Sequence, residues 1–408
     1  MKIIDGGITS PIGFKATGSH IGIKRVKKDL SLVTTDKPAI CSGCFTQNIV
    51  RASHILWDEA IVKSGKRVKG LITVSGNANA CTGEQGDKDN EKMAEVFAKE
   101  IGADKNEILT GATGIIGLKM PMDIIEKGIK DTVKNLSYDR ESGKKSAMGI
   151  ITTDKFIKEM AVQIDVGGKT ITIGGMAKGS GMIHPNMATV LSYITTDLNI
   201  TKELLQKALD YSIGETYNMI SVDGATSTND MALVLANGMA DNKIIDSENE
   251  DFQKFKNALY KIHLKFAKDI IHDGEGSSKF MEVAVVNAKS KEDARVLAKS
   301  IVNNNLVKTA LYGEDANWGR VVASMGGSGA YFNPRNLNIF FESQKGCIIM
   351  MQNGKPISFD ENYASEILSE GDIKIVAELS DGEYTAKAWG CDLSYEYVRI
   401  NGDYRSRS

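Results

Sequence analysis

Neither sign of charge prevails in this chain. Fifty lysines and arginines stand against fifty-two aspartates and glutamates, a formal charge of −2, and they are scattered along the sequence. No nucleic-acid partner and no membrane surface is expected from such a balance. Cysteine is also scarce. The five present are an odd number without the spacing of a disulfide framework. Cys41-Ser42-Gly43-Cys44 is the close pair, and no second pair or suitably spaced histidine completes a tetrahedral zinc set. These residues read as small buried thiols, and no metal is expected. Long apolar runs are missing too. The longest uncharged stretch, Gly179 to Thr196, contains His184, Pro185, Asn186 and several hydroxyls, which excludes a membrane span. Residues 1–15 lack the apolar core of a signal peptide, and Asp5 argues against a transit peptide, so a cytoplasmic location is expected. Internal repeats, low-complexity tracts and extended linkers are absent.

What is there is a chain of 408 residues, 42% hydrophobic, with room for one large or two ordinary domains. Strand-like and helix-like patterns alternate along it, which predicts a layered α/β fold. Residues 68–74 predict a strand. Residues 87–101 predict a helix with Met93, Val96, Phe97 and Ile101 on one face. A short strand at 107–109 is expected to end in the loop Thr110-Gly111-Ala112-Thr113-Gly114-Ile115-Ile116-Gly117, after which Pro121 opens a helix to about Leu136. Residues 147–152 read as another strand, and 159–174 as a hairpin turning at Gly167-Gly168. Beyond lie a helix over 202–217, a strand over 231–236, and a long amphipathic helix marked by Phe252, Phe255, Leu259, Ile262 and Phe266. That helix is expected to stop at Asp273-Gly274-Glu275-Gly276. A strand at 280–286 and a helix at 291–302 follow; the remainder reads as mainly strands, with a helix near 362–368.

Residues 174–197, GGMAKGSGMIHPNMATVLSYITTD, stand apart from the rest. Gly174, Gly175, Gly179 and Gly181 permit backbone shapes other residues resist, and His184-Pro185-Asn186 turns the chain just before an apolar, β-branched run. Thr189 falls near the start of that run. Such a lead-in suits a strained peptide bond held beside a hydroxyl. The Thr189 hydroxyl can attack the Ala188 carbonyl, an N→O acyl shift gives an ester, and water cleaves it. Thr189 then carries a free α-amine, with an ordinary pKa of about 7.7–8.0, able to act as base for its own hydroxyl. On composition alone, Thr189 is an ordinary strand residue; its setting argues otherwise.

The glycine-rich segment 110–117 offers backbone N–H donors able to stabilise the anion of a tetrahedral intermediate. Its spacing is neither Gly-x-Gly-x-x-Gly nor a Walker loop, which argues against nucleotide binding; a tight strand–helix turn is the plain alternative. Lys178, eleven positions before Thr189, is a cation placed to reach a carboxylate, although most lysines are solvated surface residues. Glu275, between two glycines, is by itself an ordinary loop acid. His184, His272 and Asp273 invite a triad or metal reading, but no HExxH pattern occurs, and His184 is better explained as shaping the loop.

Many spaced segments together carry a family resemblance: GFKATGSHIGIK, SGNANACTG, TGATGIIG, ITTDKF, the stretch around Ala188–Thr189, TSTNDMALVLANG, DGEGSSKF, EDANWGRVVAS and YVRINGDYRS. The chain resembles the self-cleaving ornithine acetyltransferase (glutamate N-acetyltransferase) family of arginine biosynthesis. The resemblance implies an αββα sandwich with an N-terminal nucleophile, cut at Ala188–Thr189 into an alpha chain (1–188) and a beta chain (189–408). It implies Thr189 as nucleophile and base, Thr113 and Gly114 as the oxyanion hole, and Thr152, Lys178, Thr189, Glu275, Asn401 and Ser406 as the amino-acid pocket. Gly-Ala precedes Thr113 where relatives often carry Cys-Ser; Ser406 stands where they usually have threonine; Ala225 stands where they usually have aspartate. Residues 317–320 and the TSTND segment around Asp230 read as supporting parts. The activity implied is ping-pong transfer of acetyl from N2-acetyl-L-ornithine to L-glutamate without a cofactor, by a tetramer of two alpha and two beta chains. Some relatives also take acetyl-CoA as donor. An N-terminal-nucleophile amidase or aminopeptidase, and an uncleaved binding protein, are the rival readings.

Overall fold

A computed structural model describes residues 1–184 and 190–403. The first sheet is built from β1 (Lys2–Ile4), β2 (Phe14–Ser19), β3 (Leu30–Phe45), β4 (Val68–Asn77), β5 (Ile108–Ile115), β6 (Lys158–Val166), β7 (Lys169–Lys178) and β8 (Leu191–Thr196). After the two-residue β9 (Ile220–Ser221), which joins the other sheet, β10 (Met231–Ala236) completes it. The order is β1-β6-β7-β8-β10-β3-β4-β5, with β2 also paired to β3.

The long β3 serves two layers. Residues 30–35 pair with β2, and most of the same stretch with β4, whereas residues 40–45 pair with β10. Between them the register breaks from Thr34 to Ala39, around Pro38, which has no N–H to give a ladder. The two halves of the sheet lie face to face. Thr73 Oγ1 of β4 donates to the Tyr193 hydroxyl of β8 at 3.0 Å, and Val33, Leu71 and Leu109 share a buried cluster with Met176, Tyr193 and Leu233.

Helices cover the outer faces. Among α1 (Ser53–Ser64), α2 (Gly83–Ile101), α3 (Met122–Thr132) and α4 (Arg140–Ile150), α2 and α3 pack on Leu32, Ile72, Val74 and Ile108. On the opposite face, α5 (Lys202–Glu215) and α6 (Glu250–His272) pack on Ile173, Ile194 and Val234. The result is an αββα sandwich. α6 starts where the Asn249 side chain accepts from the Phe252 N–H, with Glu250 and Asp251 favourable to the dipole in the first turn. Its five apolar positions named above are fully buried, each contributing about 1.5–3 kcal/mol.

The second sheet has the order β14-β13-β12-β15-β11-β16-β9, from β11 (Phe280–Ala288), β12 (Asn338–Ser343), β13 (Gly346–Gln352), β14 (Lys355–Pro356), β15 (Asp372–Glu378), β16 (Tyr384–Cys391) and β9. It packs against α7 (Lys291–Asn303) and is bordered by α8 (Asn305–Tyr312), α9 (Trp318–Gly326), α10 (Glu361–Leu368) and the terminal α11 (Tyr395–Gly402).

Three expectations are corrected. Residues 110–115 are strand, not loop. They run parallel to β4, and the buried Asp58 carboxylate accepts from both the N–H and the hydroxyl of Thr110. Residues 147–150 belong to helix α4, whose N-terminus is capped by Asp139 accepting from Ser142 N–H. Gly149 allows that helix to sit against β3, where a Cβ would lie 2.4 Å from the Leu30 carbonyl oxygen. The region after 302 holds α8, α9 and α11 besides the helix near 362–368. α8 and α9 are opened by Asn304 and Asn317, whose side chains accept from the first turns. Cys41 and Cys44 are buried in different clusters, as expected for residues three apart on a strand.

Candidate active site

β4 and β5 run parallel until Gly76 meets Gly114, where the register breaks across Thr113–Ile115. Gly114 has φ +138°, and a Cβ there would lie 2.3 Å from the carbonyl carbon of Gly76. No other residue fits. The end of β5 is pinned from across the sandwich by Asn229, whose amide donates to the carbonyls of Ala78 and Ala112 at 2.5 and 2.9 Å.

Lys178 ends β7 and donates to Thr113 Oγ1 at 3.3 Å. An ammonium has no acceptor, so this contact occupies a lone pair of the hydroxyl and leaves its proton to be given elsewhere. Glu275 follows the C-terminus of α6. Its carboxylate accepts from Asn401 Nδ2 at 2.8 Å, and its N–H donates to the Ser180 carbonyl. Gly181 is required beneath it, since a Cβ would fall 2.3 Å from the Glu275 carboxyl.

Thr113, Gly114, Thr152, Lys178, Glu275 and Asn401 all line one 320 Å³ cavity, together with Ile183 and Val190. Six of the residues expected from the sequence are thus brought together from β5, β7, α11 and two loops. The other three, Ala188, Thr189 and Ser406, lie outside the described residues. A second cavity of 510 Å³ adjoins the first and shares Gly114, Thr152, Thr153 and Glu275 with it.

Behind the wall sits a buried ionic group. Lys158 Nζ bridges Asp154 Oδ1 at 2.8 Å and Asp273 Oδ2 at 2.5 Å, all three side chains having no solvent exposure. Asp154 also accepts from Gly179 N–H at 2.8 Å and Thr152 N–H at 3.0 Å. Asp273 accepts from Lys155 N–H. One carboxylate therefore fixes the backbone beside both Thr152 and Lys178. Burial alone would raise the Asp154 pKa, but the charges of Lys158 and Lys178 prevail and hold it well below the carboxylate range. Burial wins at Asp273, which is pushed up.

His184 holds the loop rather than a proton. Its Nδ1 lies 3.2 Å from Ser221 Oγ and its carbonyl accepts from the Thr226 hydroxyl. Burial, reinforced by the charge of Lys299, lowers its pKa to about 4, so it is neutral at pH 7. Asp223 fixes the same segment, accepting from the N–H groups of Met182 and Ile183 at 2.7 and 2.9 Å and from the Tyr397 hydroxyl. His272 is remote in role, stacked on Phe280.

Sequence reasoning missed Asp154, Asp223, Lys24 and Lys27, and took Asn229 only as part of a supporting loop. Asp154 stands inside the ITTDKF segment and Lys24 ends GFKATGSHIGIK, yet an acid or lysine in a polar stretch is ordinarily solvated. Their burial and partners depend on chain brought from elsewhere.

The sequence matches the ArgJ family model over residues 15–406. It is 48% identical over 406 residues to an arginine biosynthesis bifunctional protein ArgJ of Caldanaerobacter subterraneus subsp. tengcongensis, with 100% of each chain covered. It is 47% identical over 397 residues to the protein of the same name from Thermotoga neapolitana, covering 97% of this chain and 99% of that one. Among solved structures, an ornithine acetyltransferase complexed with ornithine from Mycobacterium tuberculosis is 34% identical. That match covers 46% of this chain and 99% of that one, with a TM-score of 0.43.

Proposed function

The chain belongs to the ArgJ family, and we propose that this acyltransferase of arginine biosynthesis carries acetyl from N2-acetyl-L-ornithine to L-glutamate on Thr189. The chain first cuts itself at Ala188–Thr189. Thr189 Oγ then attacks the acetyl carbonyl while its α-amine takes the hydroxyl proton. The tetrahedral anion is held by Thr113 Oγ–H and Gly114 N–H, donors of a kind worth about 2.7–4 kcal/mol each. Collapse passes the proton to the departing nitrogen and releases ornithine, leaving an acetyl ester. The amine of glutamate attacks that ester, and the hydroxyl regains its proton. Lys178 and Thr152 suit substrate carboxylate oxygens; Glu275 and Asn401 accept from ammonium groups; Ser406 adds a hydroxyl.

The observation that carries this reading is the convergence of six expected residues on one cavity, flanked by Ile183 and Val190 on either side of the cut. Alpha and beta chains of 188 and 220 residues (408 − 188) fit a shared fold. β7, before the bond, pairs with β8, after it, Lys178 opposite Leu191. Two such pairs assemble into a tetramer in the cytoplasm; no described helix is long and apolar enough to cross a membrane. Denaturing mass spectrometry after brief exposure to N2-acetylornithine without glutamate tests the scheme. Two fragments are expected, the larger beginning at Thr189 and heavier by one acetyl. Thr189→Ala should abolish both cleavage and transfer. An intact chain in a fully active preparation would overturn the reading, and release of labelled acetate instead of acetylglutamate would make the protein an amidase.

A further inference from the structure

The larger cavity beside the site is lined by Lys24, Arg25, Lys27 and Lys155, together with Asp273, Glu275 and Glu396. The segment that brings Lys24, Arg25 and Lys27 is built for rigidity. The buried Asp29 carboxylate accepts from the N–H groups of Ile21, Gly22, Ile23 and Lys24 at 2.6–3.1 Å, closing the loop around one anion. The Lys24 stem runs over Gly76, where a Cβ would lie 2.9 Å from Lys24 Cγ, and Gly76 is the ladder partner of Gly114. Lys24 Nζ donates to the Ile151 carbonyl at 2.8 Å, and Lys27 Nζ to the carbonyls of Thr152 and Asp154 at 3.0 and 3.2 Å.

Carbonyl oxygens orient these ammonium groups without neutralising them. Among the described residues neither has a carboxylate within ion-pair distance, whereas the acids on the same wall are engaged. Asp273 is bridged to Lys158, Glu396 to Arg399 at 2.6 Å, and Glu275 accepts from Asn401. Burial outweighs the attraction of Asp29 and, with the repulsion of Lys27 and Lys178, brings the Lys24 pKa down to about 8.

We propose that Lys24 and Lys27 bind the side-chain carboxylate of the acceptor amino acid, so that the enzyme selects glutamate by charge in this lobe. The inference rests on the transfer reaction above. The two amino acids exchanged share an α-carboxylate and differ at the far end, ammonium in ornithine and carboxylate in glutamate. Lys178 serves the group they share. Glu275 with Asn401, and Lys24 with Lys27, serve the two ends that differ: Asn401 lines only the smaller cavity, Lys24 and Lys27 only the larger, and Gly114, Thr152 and Glu275 line both.

Glutamine, a neutral isostere of the acceptor, supplies the test. The ratio of kcat/KM for glutamate over glutamine, measured with N2-acetylornithine as donor, is internal to each preparation and insensitive to the amount of active enzyme. It should fall at least tenfold in Lys24→Met, which keeps the stem over Gly76, and by a smaller factor in Lys27→Met, which serves alone if Lys24→Met does not fold. An unchanged ratio in either folded variant, or a wild type that accepts glutamine as well as glutamate, would overturn the assignment. A wild type that never acquires acetyl on Thr189 would instead fault the transfer reaction itself.

Discussion

Two charged clusters of this protein use the same residue types in opposite surroundings. Behind the cleft, Lys158 joins Asp154 and Asp273 with no exposure to water. On the second sheet, Glu282 accepts from Lys268 at 3.1 Å, Lys387 at 2.8 Å and Trp389 Nε1 at 2.9 Å, with lysine side chains 37% and 51% exposed. Desolvating the first group is costly, and its members are strongly committed to one another once buried. The second is screened and replaceable. The difference teaches what each does: the buried cluster sets the backbone beside Thr152 and Lys178, while the outer one tethers α6 to β11 and β16.

Breaking the buried cluster should have the largest effect. Lys158→Met strands two carboxylates and should cost about 3–5 kcal/mol, read from the denaturant midpoint, with loss of transfer in whatever remains folded. Next comes the wall it supports. Gly181→Ala, whose methyl would displace the Glu275 carboxylate, should raise the KM for N2-acetylornithine roughly tenfold, about 1.4 kcal/mol, with little change in the melting temperature. A melting temperature that falls instead, with KM intact, would make Gly181 a packing residue.

The outer cluster should respond least. Glu282→Gln should cost less than Lys158→Met, and added salt should shrink that cost while leaving the Lys158→Met deficit in place. Acid sharpens the contrast further. Burial alone would raise the Glu282 pKa, but the donors Lys387, Trp389 and Lys268 prevail and bring it to about 2. A carboxylate depressed by folding stabilises above its ordinary pKa and loses that contribution as the pH falls. The gap between wild type and Glu282→Gln should therefore close between about pH 4.5 and pH 2, as urea titrations at several pH values would reveal.

Much of the sandwich was legible in the sequence because its signals are local. The apolar repeat of α6 and the Gly167-Gly168 turn of the β6–β7 hairpin each specify an element without help from distant chain. Where the reading failed, tertiary context prevailed. Residues 110–115 carry glycines that favour a loop, yet Gly111 lies where a Cβ would be 2.5 Å from the Tyr193 hydroxyl, so only a bare strand fits between the layers. Residues 147–152 read as a strand by local pattern, yet 147–150 are helix, because Gly149 lets α4 approach β3 and Gly143 lets it lie against Thr9. The site was legible as a set of types, hydroxyl, amide, acid and lysine, through motifs spread over the chain. Asp154 and Asp223 were invisible for the opposite reason. Their roles rest on backbone donors such as Gly179 and Ile183, 25 and 40 positions away.

The long β3 also sets when the first sheet can close. In its ladder with β10, Cys44 lies opposite Ala232, 188 positions later (232 − 44), so the middle of the first sheet stays open until more than half the polypeptide has been made. A nascent chain carries residues 40–45 without their β10 partner until that point. Contacts of such long sequence separation slow folding. In the proposed scheme, self-cleavage follows that late closure, which would tie the birth of the nucleophile to the completion of the fold around it.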